Sequence, residues 1–346
     1  MNPLSTISHL PSQVSSPMSC LPNYIYIPAG SNQKIAGELK HFLTLENRTI
    51  LENAIEAGAN LEHRIISTVK ESHRIKDKYK RAENIQILEA RKELIDSSIY
   101  ALMEGYVNSN SEHKFTGNWA NLREIKIFLK KNPELLDLTI LSVGSDSPFL
   151  TSKDLSDFIQ RYSSLEKKPD IYVGLTSMDK LVELNNKLKL RVSSIDSTLN
   201  NYCITDMGLF RISNMYIIKP FKLLDTGVIG SLQKVYDHRK LSQGITQYLG
   251  ILSGFSSFLP RVLAHPYLTA KFAKDILTSS RHFRGNYLGS PIKLEKAFQN
   301  TSEVTGLDVR GDINCGVGPL LDIDDEASYN FFKKHYGEIS DYILSN

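Results

Sequence analysis

Apolar and polar residues follow two alternating rhythms along the first 220 positions of the chain. Short runs rich in β-branched and aromatic residues, typical of strands, alternate with segments whose apolar residues lie three and four apart, the spacing of one helix face. The predicted strands are 24–28, 64–69, 85–88, 138–143, 170–174 and 209–218, and the predicted helices are 48–57, 94–103 and 151–162. This alternation predicts an α/β fold with a mostly parallel sheet and helices on both faces.

Two segments interrupt the alternation. Residues 108–132 are polar with a helical second half, and 225–285 have a wholly helical pattern. Near the end, 308–321 is expected to be irregular and 326–344 helical. We therefore expect one interrupted domain and two additional parts. These are an α/β domain over 23–224 and 290–346, a helical insertion over 225–289, and a flexible tail rich in Ser and Pro over 1–22.

The stretch 241–260 has the composition that most resembles a membrane segment, since it lacks Asp, Glu, Lys and Arg. Its large apolar residues recur at three and four among Ser, Thr, Gln and Gly, which favours a buried amphipathic helix over a membrane span. A helix lying on a membrane surface, held by basic flanks, is the alternative. The tail lacks the basic and apolar regions of a signal peptide.

Composition narrows the possible classes of function. The 346 residues are 41% hydrophobic and 23% charged, as in ordinary globular proteins with a sizeable core. The 41 Lys and Arg against 38 Asp and Glu give a net charge of +3, too near neutral to indicate a nucleic-acid partner. The distant cysteines Cys20, Cys203 and Cys315 form no C-x-x-C pair, so we expect neither a disulfide framework nor structural zinc, and a reducing, cytoplasmic location.

The loop after the first predicted strand is the first candidate for chemistry. It contains Ala29 and Gly30, followed by Gly37 and Lys40. Backbone N–H groups of such a loop can face phosphates, and a lysine can neutralise phosphate charge. The spacing matches neither the dinucleotide motif G-x-G-x-x-G nor the P-loop. A tight turn with a surface lysine is the alternative interpretation.

Two acidic segments are the next candidates. Asp146 stands in a turn after a β-rich run, where open α/β sheets bind ligands, and its carboxylate suits Mg²⁺ unless it only forms an Asx-turn. Asp322 and Asp324 share one side if their segment is extended. Asp325 is expected to begin the last helix, and an N-cap cluster is the alternative for this segment.

Together these segments resemble the MobA-like NTP transferases, the nucleotidyltransferase branch of the GT-A fold. Members open with a strand, the pattern A-G-G-x-G-x-R-M-G, a spacer and a lysine, and this chain has Ala29, Gly30, Gly37 and Lys40 in similar places. Ser31 replaces the second glycine of the pattern. The arginine position falls on Ile35, with Lys34 beside it.

The later motifs carry the resemblance further along the chain. The family pattern G-D-x-P is similar to Gly144-Ser-Asp146-Ser-Pro148, and D-x-D-x-x-x-D is similar to Asp322-Ile-Asp324 without the final acid. The segment 210–220 resembles the strand with an R-x-G-N-type sequence that lines the acceptor side. The resemblance thus covers about 24–330 without the two interruptions.

The resemblance implies a Rossmann-like GT-A fold and a Mg²⁺-dependent transfer of NMP from an NTP to a small phosphorylated acceptor, with release of pyrophosphate. It implies catalytic roles for Lys40 and Asp146, nucleotide binding by Ala29, Gly30, Ser31, Lys34, Gly37 and Lys40, acceptor binding by Arg211, Asn214 and Lys219, and metal binding by Asp146, Asp322 and Asp324. For Lys219 a solvated lysine at a strand end is the alternative.

Two other functions remain open on the same fold. One is a non-catalytic nucleotide-binding module, which the altered glycine-rich loop favours. The other is a GT-A glycosyltransferase that uses a nucleotide sugar, although a D-x-D motif at the end of a central strand is absent and Ser-Asp146-Ser stands there instead. Cys203 and Cys315 are expected to be packing residues.

Overall fold

The computed structural model describes residues 22–30, 32–61, 63–90, 122–189, 203–226 and 293–345. The strands are β1 (Tyr24–Ala29), β2 (Lys34–Ile35), β3 (Glu38–Leu39), β4 (Thr44–Leu45), β5 (Arg48–Thr49), β6 (Arg64–Val69), β7 (Ile85–Glu89), β8 (Ile140–Val143), β9 (Ile171–Ser177), β10 (Cys203–Thr205), β11 (Gly208–Ile218) and β12 (Val309–Asp312). The helices are α1 (Ile50–Ala59), α2 (His73–Tyr79), α3 (Leu122–Lys131), α4 (Ser152–Ser164), α5 (Met178–Leu188), α6 (Pro220–Thr226), α7 (Leu294–Thr305) and α8 (Glu326–Ser345).

Several predictions concern residues outside these ranges. They are the tail up to position 21, Ser31, the helix predicted at 94–103, and the helical insertion from 227 onward with its 241–260 stretch. Across the ranges that are described, no helix is both long and apolar enough to cross a bilayer.

The central sheet has the strand order β12-β9-β11-β8-β1-β6-β7, and β10 pairs with β11 beside this path. The pairs β1–β6, β1–β8, β6–β7 and β9–β12 are parallel. Strand β11 is antiparallel to β8, β9 and β10. The predicted mostly parallel sheet is confirmed, with one internal strand reversed.

Alternate residues of β1 show how the sheet divides the core into two layers. Ile25 and Ile27 pack into one cluster with buried residues of α1, α2 and α4. Tyr24 and Tyr26 pack into another with residues of α3, α6 and α7. Because strand side chains alternate between faces, one run of apolar residues serves both layers and places helices on both faces of the sheet.

Helix starts follow local side-chain chemistry. Thr151 caps α4 in a reciprocal capping box with Asp154, at the start of the helix predicted over 151–162. Thr49 and Glu52 form the same arrangement at α1, which continues past the predicted end at position 57. Helices α2 and α5 have no counterpart in the prediction, and the segment 308–321, expected to be irregular, contains the edge strand β12.

A third apolar cluster joins the loops at the carboxyl edge, the edge where the parallel strands end. Ile35 and Leu45 from the segment after β1 pack with Leu321 and Ile323 from the segment before α8, and with buried residues of α5 and α8. This cluster brings segments that are nearly 300 positions apart to one place above the sheet. It therefore positions the candidate polar residues carried by the same loops.

Candidate active site

Lys40 lies at the centre of a charged cluster on the carboxyl edge. It opens a short 3₁₀ turn after the β2–β3 hairpin, and its backbone N–H donates to the carbonyl of Gln33 at 2.9 Å. Its side chain is 8% exposed, and its Nζ lies 2.9 Å from Oδ2 of Asp146 and 3.4 Å from Oδ1 of Asp324. The structure thus brings together three residues that the sequence singled out separately.

The charge state of Lys40 depends on two opposing effects, burial of its ammonium and attraction by nearby carboxylates. Burial acts to lower the pKa of the ammonium, but the carboxylates of Asp146 and Asp324 outweigh it, so the pKa lies above its ordinary value. Lys40 is therefore a buried positive charge that depends on its two acidic partners.

The turn that carries Asp146 depends on a glycine. The N–H of Gly144, just after β8, donates to the carbonyl of Asn214 at 3.0 Å. A Cβ at Gly144 would lie 2.8 Å from Oδ1 of Asp146 and 3.2 Å from Cβ of Asn214, so a side chain there would displace the Asp146 carboxylate. The carbonyl of Asp146 accepts from the N–H of Ile323 at 3.1 Å, which joins this turn to the second acidic segment.

In the second acidic segment, the neighbouring carboxylates of Asp324 and Asp325 have different partners. Ile323 is fully buried, whereas Asp324 beside it keeps 53% of its side chain exposed and contacts Lys40. Oδ1 of Asp325 accepts from the N–H of Ser328 at 2.7 Å, so Asp325 caps α8, which was the alternative interpretation of this segment. The N-cap interpretation therefore applies to Asp325, and the carboxylate of Asp324 remains directed to the cluster.

Asp322 forms a buried ion pair with Arg211 from β11. Nη2 of Arg211 lies 2.9 Å and 3.2 Å from the two carboxylate oxygens, and both side chains are about nine-tenths buried. Burial raises the pKa of Asp322 to about 6, with Arg211 and Lys40 acting against this rise and Asp324 and Asp146 adding to it. Nη1 of Arg211 is buried and has no hydrogen-bond partner among the described residues.

Asn214 lies on a bulge of β11 beside the Asp146 turn. The register of β11 against β9 shifts between Ile212 and Tyr216, and Asn214 has a φ of 50°. Asparagine tolerates this left-handed conformation better than most residues, and a bulge commonly redirects a side chain next to a functional site. The structure therefore brings Asn214, like Arg211, to the carboxyl edge.

The predicted nucleotide-binding loop forms a hairpin. Ala36 and Gly37 connect β2 to β3 with φ values of 50° and 83°, the signs that a type I′ turn requires. Gly37 therefore serves the reversal of the chain. Lys34 is exposed on β2, and its charge helps to lower the pKa of Glu38. The described contacts include no ion pair between Lys34 and the acidic cluster.

His41 is a positioning residue that the sequence pattern did not reveal. It is 2% exposed, and its Nε2 lies 3.2 Å from the carbonyl of Lys70. Because a carbonyl only accepts, Nε2 carries the proton, and Nδ1 has no partner among the described residues. Burial lowers the pKa of His41, so the ring is neutral. The N–H of Lys70 also donates to the carbonyl of Ala29, so His41 ties the Lys40 turn to the end of β1, next to Gly30.

Lys219 does not join this cluster. It follows the last residue of β11, whereas Arg211 lies near its first, and the intervening strand separates them by about 25 Å. Lys219 pairs instead with Asp137 at 3.3 Å and with Asp170 at 3.4 Å, at the amino edge, where the parallel strands begin. Because β11 runs antiparallel to its neighbours, its end lies far from Arg211 and the acidic cluster, which does not support the expected acceptor-binding role of Lys219. The alternative of a solvated lysine is not met either, since Lys219 is 9% exposed.

Two further features of the carboxyl edge bear on its chemistry: a buried thiol and the arrangement of possible metal ligands. Cys315 is fully buried, and burial raises the pKa of its thiol to about 12, as befits the packing residue that was expected. No group of three or more His, Cys, Asp or Glu side chains in the described ranges is arranged to hold a metal. The predicted metal ligands Asp146, Asp322 and Asp324 therefore do not form a preformed metal site. The carboxylate of Asp322 is instead paired with Arg211.

Comparison with solved structures shows the fold. The chain is similar to a structure described as a hypothetical transferase from Thermus thermophilus, with 11% identity, coverage of 89% of this chain and all of the other, and a TM-score of 0.50. At this identity the likeness shows a shared fold, consistent with the mostly parallel sheet. Neither a family profile nor a curated protein matches the sequence.

Two further solved structures score lower. One is CMP:2-keto-3-deoxy-manno-octonic acid synthetase complexed with CTP, with 8% identity, coverage of 91% of this chain and 99% of the other, and a TM-score of 0.45. The other is 4-diphosphocytidyl-2C-methyl-D-erythritol synthase from Anaerococcus prevotii, with 10% identity, the same coverage of both chains and a TM-score of 0.40.

Proposed function

We propose that the chain is a Mg²⁺-dependent nucleotidyltransferase that transfers NMP from an NTP to a small phosphorylated acceptor. One observation carries the proposal: the buried Lys40 meets Asp146 and Asp324 at the carboxyl edge of the parallel strands, where open α/β sheets bind ligands. The likeness to solved structures supports the fold, and the reaction is inferred from this site.

The reaction needs charge neutralisation more than covalent chemistry. An oxygen of the acceptor attacks the α-phosphorus, a new P–O bond forms, and the bond to the bridging oxygen breaks so that pyrophosphate leaves with its electron pair. Lys40 would bind phosphate oxygens and stabilise their growing charge. The backbone at Ala29 and Gly30 lies on the same edge, where it would contact the triphosphate.

The acceptor side is proposed for the start of β11. Nη1 of Arg211 is a buried donor without a partner among the described residues, and a phosphate oxygen of the acceptor would satisfy it. Asn214, on the bulge beside the Asp146 turn, would supply a second polar contact. Both residues lie on β11, which runs between β8 and β9 in the central sheet.

The carboxylates fit a magnesium ion in a specific way. Lys40 shows that the pair Asp146 and Asp324 already accommodates a cation, and both side chains retain exposed surface, at 29% and 53%. Mg²⁺ commonly takes one or two protein carboxylates together with substrate phosphates and water. Asp146 and Asp324 would hold the ion, which when bound neutralises phosphate oxygens.

Pyrophosphate release tests this proposal. The purified chain with Mg²⁺ is assayed with CTP, GTP, UTP and ATP against a library of small phosphorylated acceptors. We expect release with at least one pair of substrates, and a loss of about 100-fold or more in Asp146→Asn, since single electrostatic contacts in active sites have effects of this order. Asp341→Asn, an exposed residue on α8, is the charge-matched control. Unchanged turnover in Asp146→Asn would refute the assigned role.

A second candidate, nucleotide binding without transfer, is favoured by the altered loop after β1, where Gly37 serves the hairpin turn. At the start of α1, Thr49 accepts from the N–H of Glu52 at 3.2 Å, and the Glu52 carboxylate accepts from the N–H of Thr49 at 2.7 Å. This helix end therefore offers fewer free N–H groups to the phosphates of a reacting NTP. An NTP that raises the melting temperature while no acceptor yields pyrophosphate would support this candidate over the transferase.

A further inference from the structure

Lys40 provides an internal counter-ion for the carboxyl-edge cluster. The cluster contains three carboxylates, from Asp146, Asp322 and Asp324, and two basic side chains, from Lys40 and Arg211. Arg211 contacts both oxygens of Asp322, so the other two carboxylates have Lys40 as their basic partner. Because buried or partly buried charges are costly unless paired, the ammonium stabilises Asp146 and Asp324 in the absence of a ligand.

A metal ion and the ammonium would need the same oxygens. Oδ2 of Asp146 and Oδ1 of Asp324 both face Nζ of Lys40. Carboxylate oxygens are also the ligands that Mg²⁺ takes from proteins. Two cations so close together would repel each other strongly in a partly desolvated site. The site therefore accommodates either the ammonium or a divalent ion between these carboxylates.

The backbone around Lys40 is held independently of its ammonium. Its N–H donates to Gln33, and the neighbouring His41 is fixed to the carbonyl of Lys70. Nε2 of Gln33 donates to the carbonyl of Asp324 at 2.7 Å, which ties the loop to the acidic segment through backbone atoms. The flexible four-carbon side chain of Lys40 can therefore change partners while the loop stays in place.

We propose that Lys40 is an exchangeable counter-ion that excludes free divalent metal from Asp146 and Asp324 until a nucleotide is present. Phosphate oxygens then take over the ammonium, and the released carboxylates accept the metal that accompanies the nucleotide. This inference rests on the proposed function, which supplies the nucleotide. Its consequence is that metal and nucleotide bind strongly together and weakly one at a time.

Binding of Mn²⁺ to the nucleotide-free chain tests the exclusion directly. Electron paramagnetic resonance measures the free ion in titrations of the wild type, Lys40→Met and Lys34→Met, the last being an exposed lysine on the same loop with the same loss of charge. We expect Lys40→Met to bind Mn²⁺ about tenfold more tightly than the wild type, and Lys34→Met to match the wild type. Adding Asp146→Asn to Lys40→Met should remove the gain.

Equal Mn²⁺ affinity in Lys40→Met and the wild type would overturn the proposal, as would an equal gain in Lys34→Met. If Lys40→Met folds only when Mn²⁺ is added, the metal has replaced the ammonium, and the proposal is supported. The Mn²⁺ titration uses no nucleotide, so its result is independent of the transferase proposal. If Lys40→Met binds Mn²⁺ more tightly but the wild type never releases pyrophosphate, the counter-ion role of Lys40 is supported and the transferase proposal is refuted.

A second measurement covers the case in which Lys40→Met does not fold at all. Asp324 is half-exposed, so Asp324→Asn is expected to fold, and it leaves Lys40 held by Asp146 alone. In EDTA this variant should bind the preferred NTP several-fold more tightly than the wild type. The Lys40 ammonium then breaks one ion pair fewer when it moves to the phosphate oxygens. Asp341→Asn controls for net charge. Equal affinity of Asp324→Asn and the wild type in EDTA would contradict the exchange.

Discussion

The two edges of the sheet each carry a lysine between two aspartates, with different surroundings. At the carboxyl edge, Lys40 lies between Asp146 and Asp324. At the amino edge, Lys219 lies between Asp137 and Asp170. Both lysine side chains are about nine-tenths buried, so the residue types and burial alone do not distinguish a binding site from a structural one.

The two edges differ in the number of hydrogen-bond and ion-pair donors that already contact their aspartate carboxylates. Oδ1 of Asp170 lies 2.8 Å from Nζ of Lys222 and 3.4 Å from Lys219, and Oδ2 accepts from the N–H of Asp308 at 2.9 Å. Asp170 thereby joins the starts of β9 and β12 to the end of β11. Among the residues that the structure describes, Asp146 and Asp324 share one basic partner, Lys40, and both keep exposed surface. A saturated carboxylate holds strands together, whereas one with spare acceptor capacity can bind a ligand.

The largest expected effect is on stability at the amino edge. Asp170→Ala should lower the free energy of unfolding by about 3 kcal/mol, because it leaves buried Lys219 with only the exposed Asp137 as a partner and the N–H of Asp308 without its acceptor. Asp324→Ala, which removes one half-exposed partner of Lys40, should cost less than about 1 kcal/mol. Urea unfolding of both variants measures the difference, and equal losses would contradict the comparison.

The pH dependence of stability should come from the carboxyl edge. The pKa of Asp322 rises to about 6 in the folded chain, above the unfolded value near 3.9, so the folded state holds the proton more tightly. Its contribution to stability is complete below about pH 4 and is lost as the pH rises through 6. Relative to Asp322→Asn, the wild type should therefore be more stable at pH 4.5 than at pH 7. A constant difference in urea unfolding between the two pH values would refute this.

The smallest expected effect concerns the position of Lys40. His41→Leu removes the hydrogen bond to Lys70, so NTP affinity should fall about fivefold, in line with the loss of one net hydrogen bond. His41→Gln keeps a donor at the end of the side chain and should restore most of the affinity. Calorimetric titration compares the two variants with the wild type. Equal loss in both would assign His41 to packing alone.

The sequence predicted the parts of the fold and site that depend on local patterns. The apolar runs of β1, β6 and β7 and the capping residues of α4 are local signals, and Lys40 and Asp146 follow strand ends that meet at one edge in a parallel sheet. The direction of β11 is set by its neighbours and has no signal in its own residues. The sequence therefore could not show that β11 begins with Arg211 at the carboxyl edge and ends before Lys219 at the amino edge.

Binding of an NTP tests most directly whether the carboxyl edge alone is the ligand site. Calorimetry in Mg²⁺ is performed with CTP, GTP, UTP and ATP on the wild type, Lys40→Met and Lys219→Met, a matched pair of buried lysines on opposite edges. We expect at least one NTP to bind the wild type and Lys219→Met with affinities within about threefold of each other, and to lose about tenfold or more in Lys40→Met. Binding that is unaffected in Lys40→Met, or absent from the wild type for all four NTPs, would contradict the assignment.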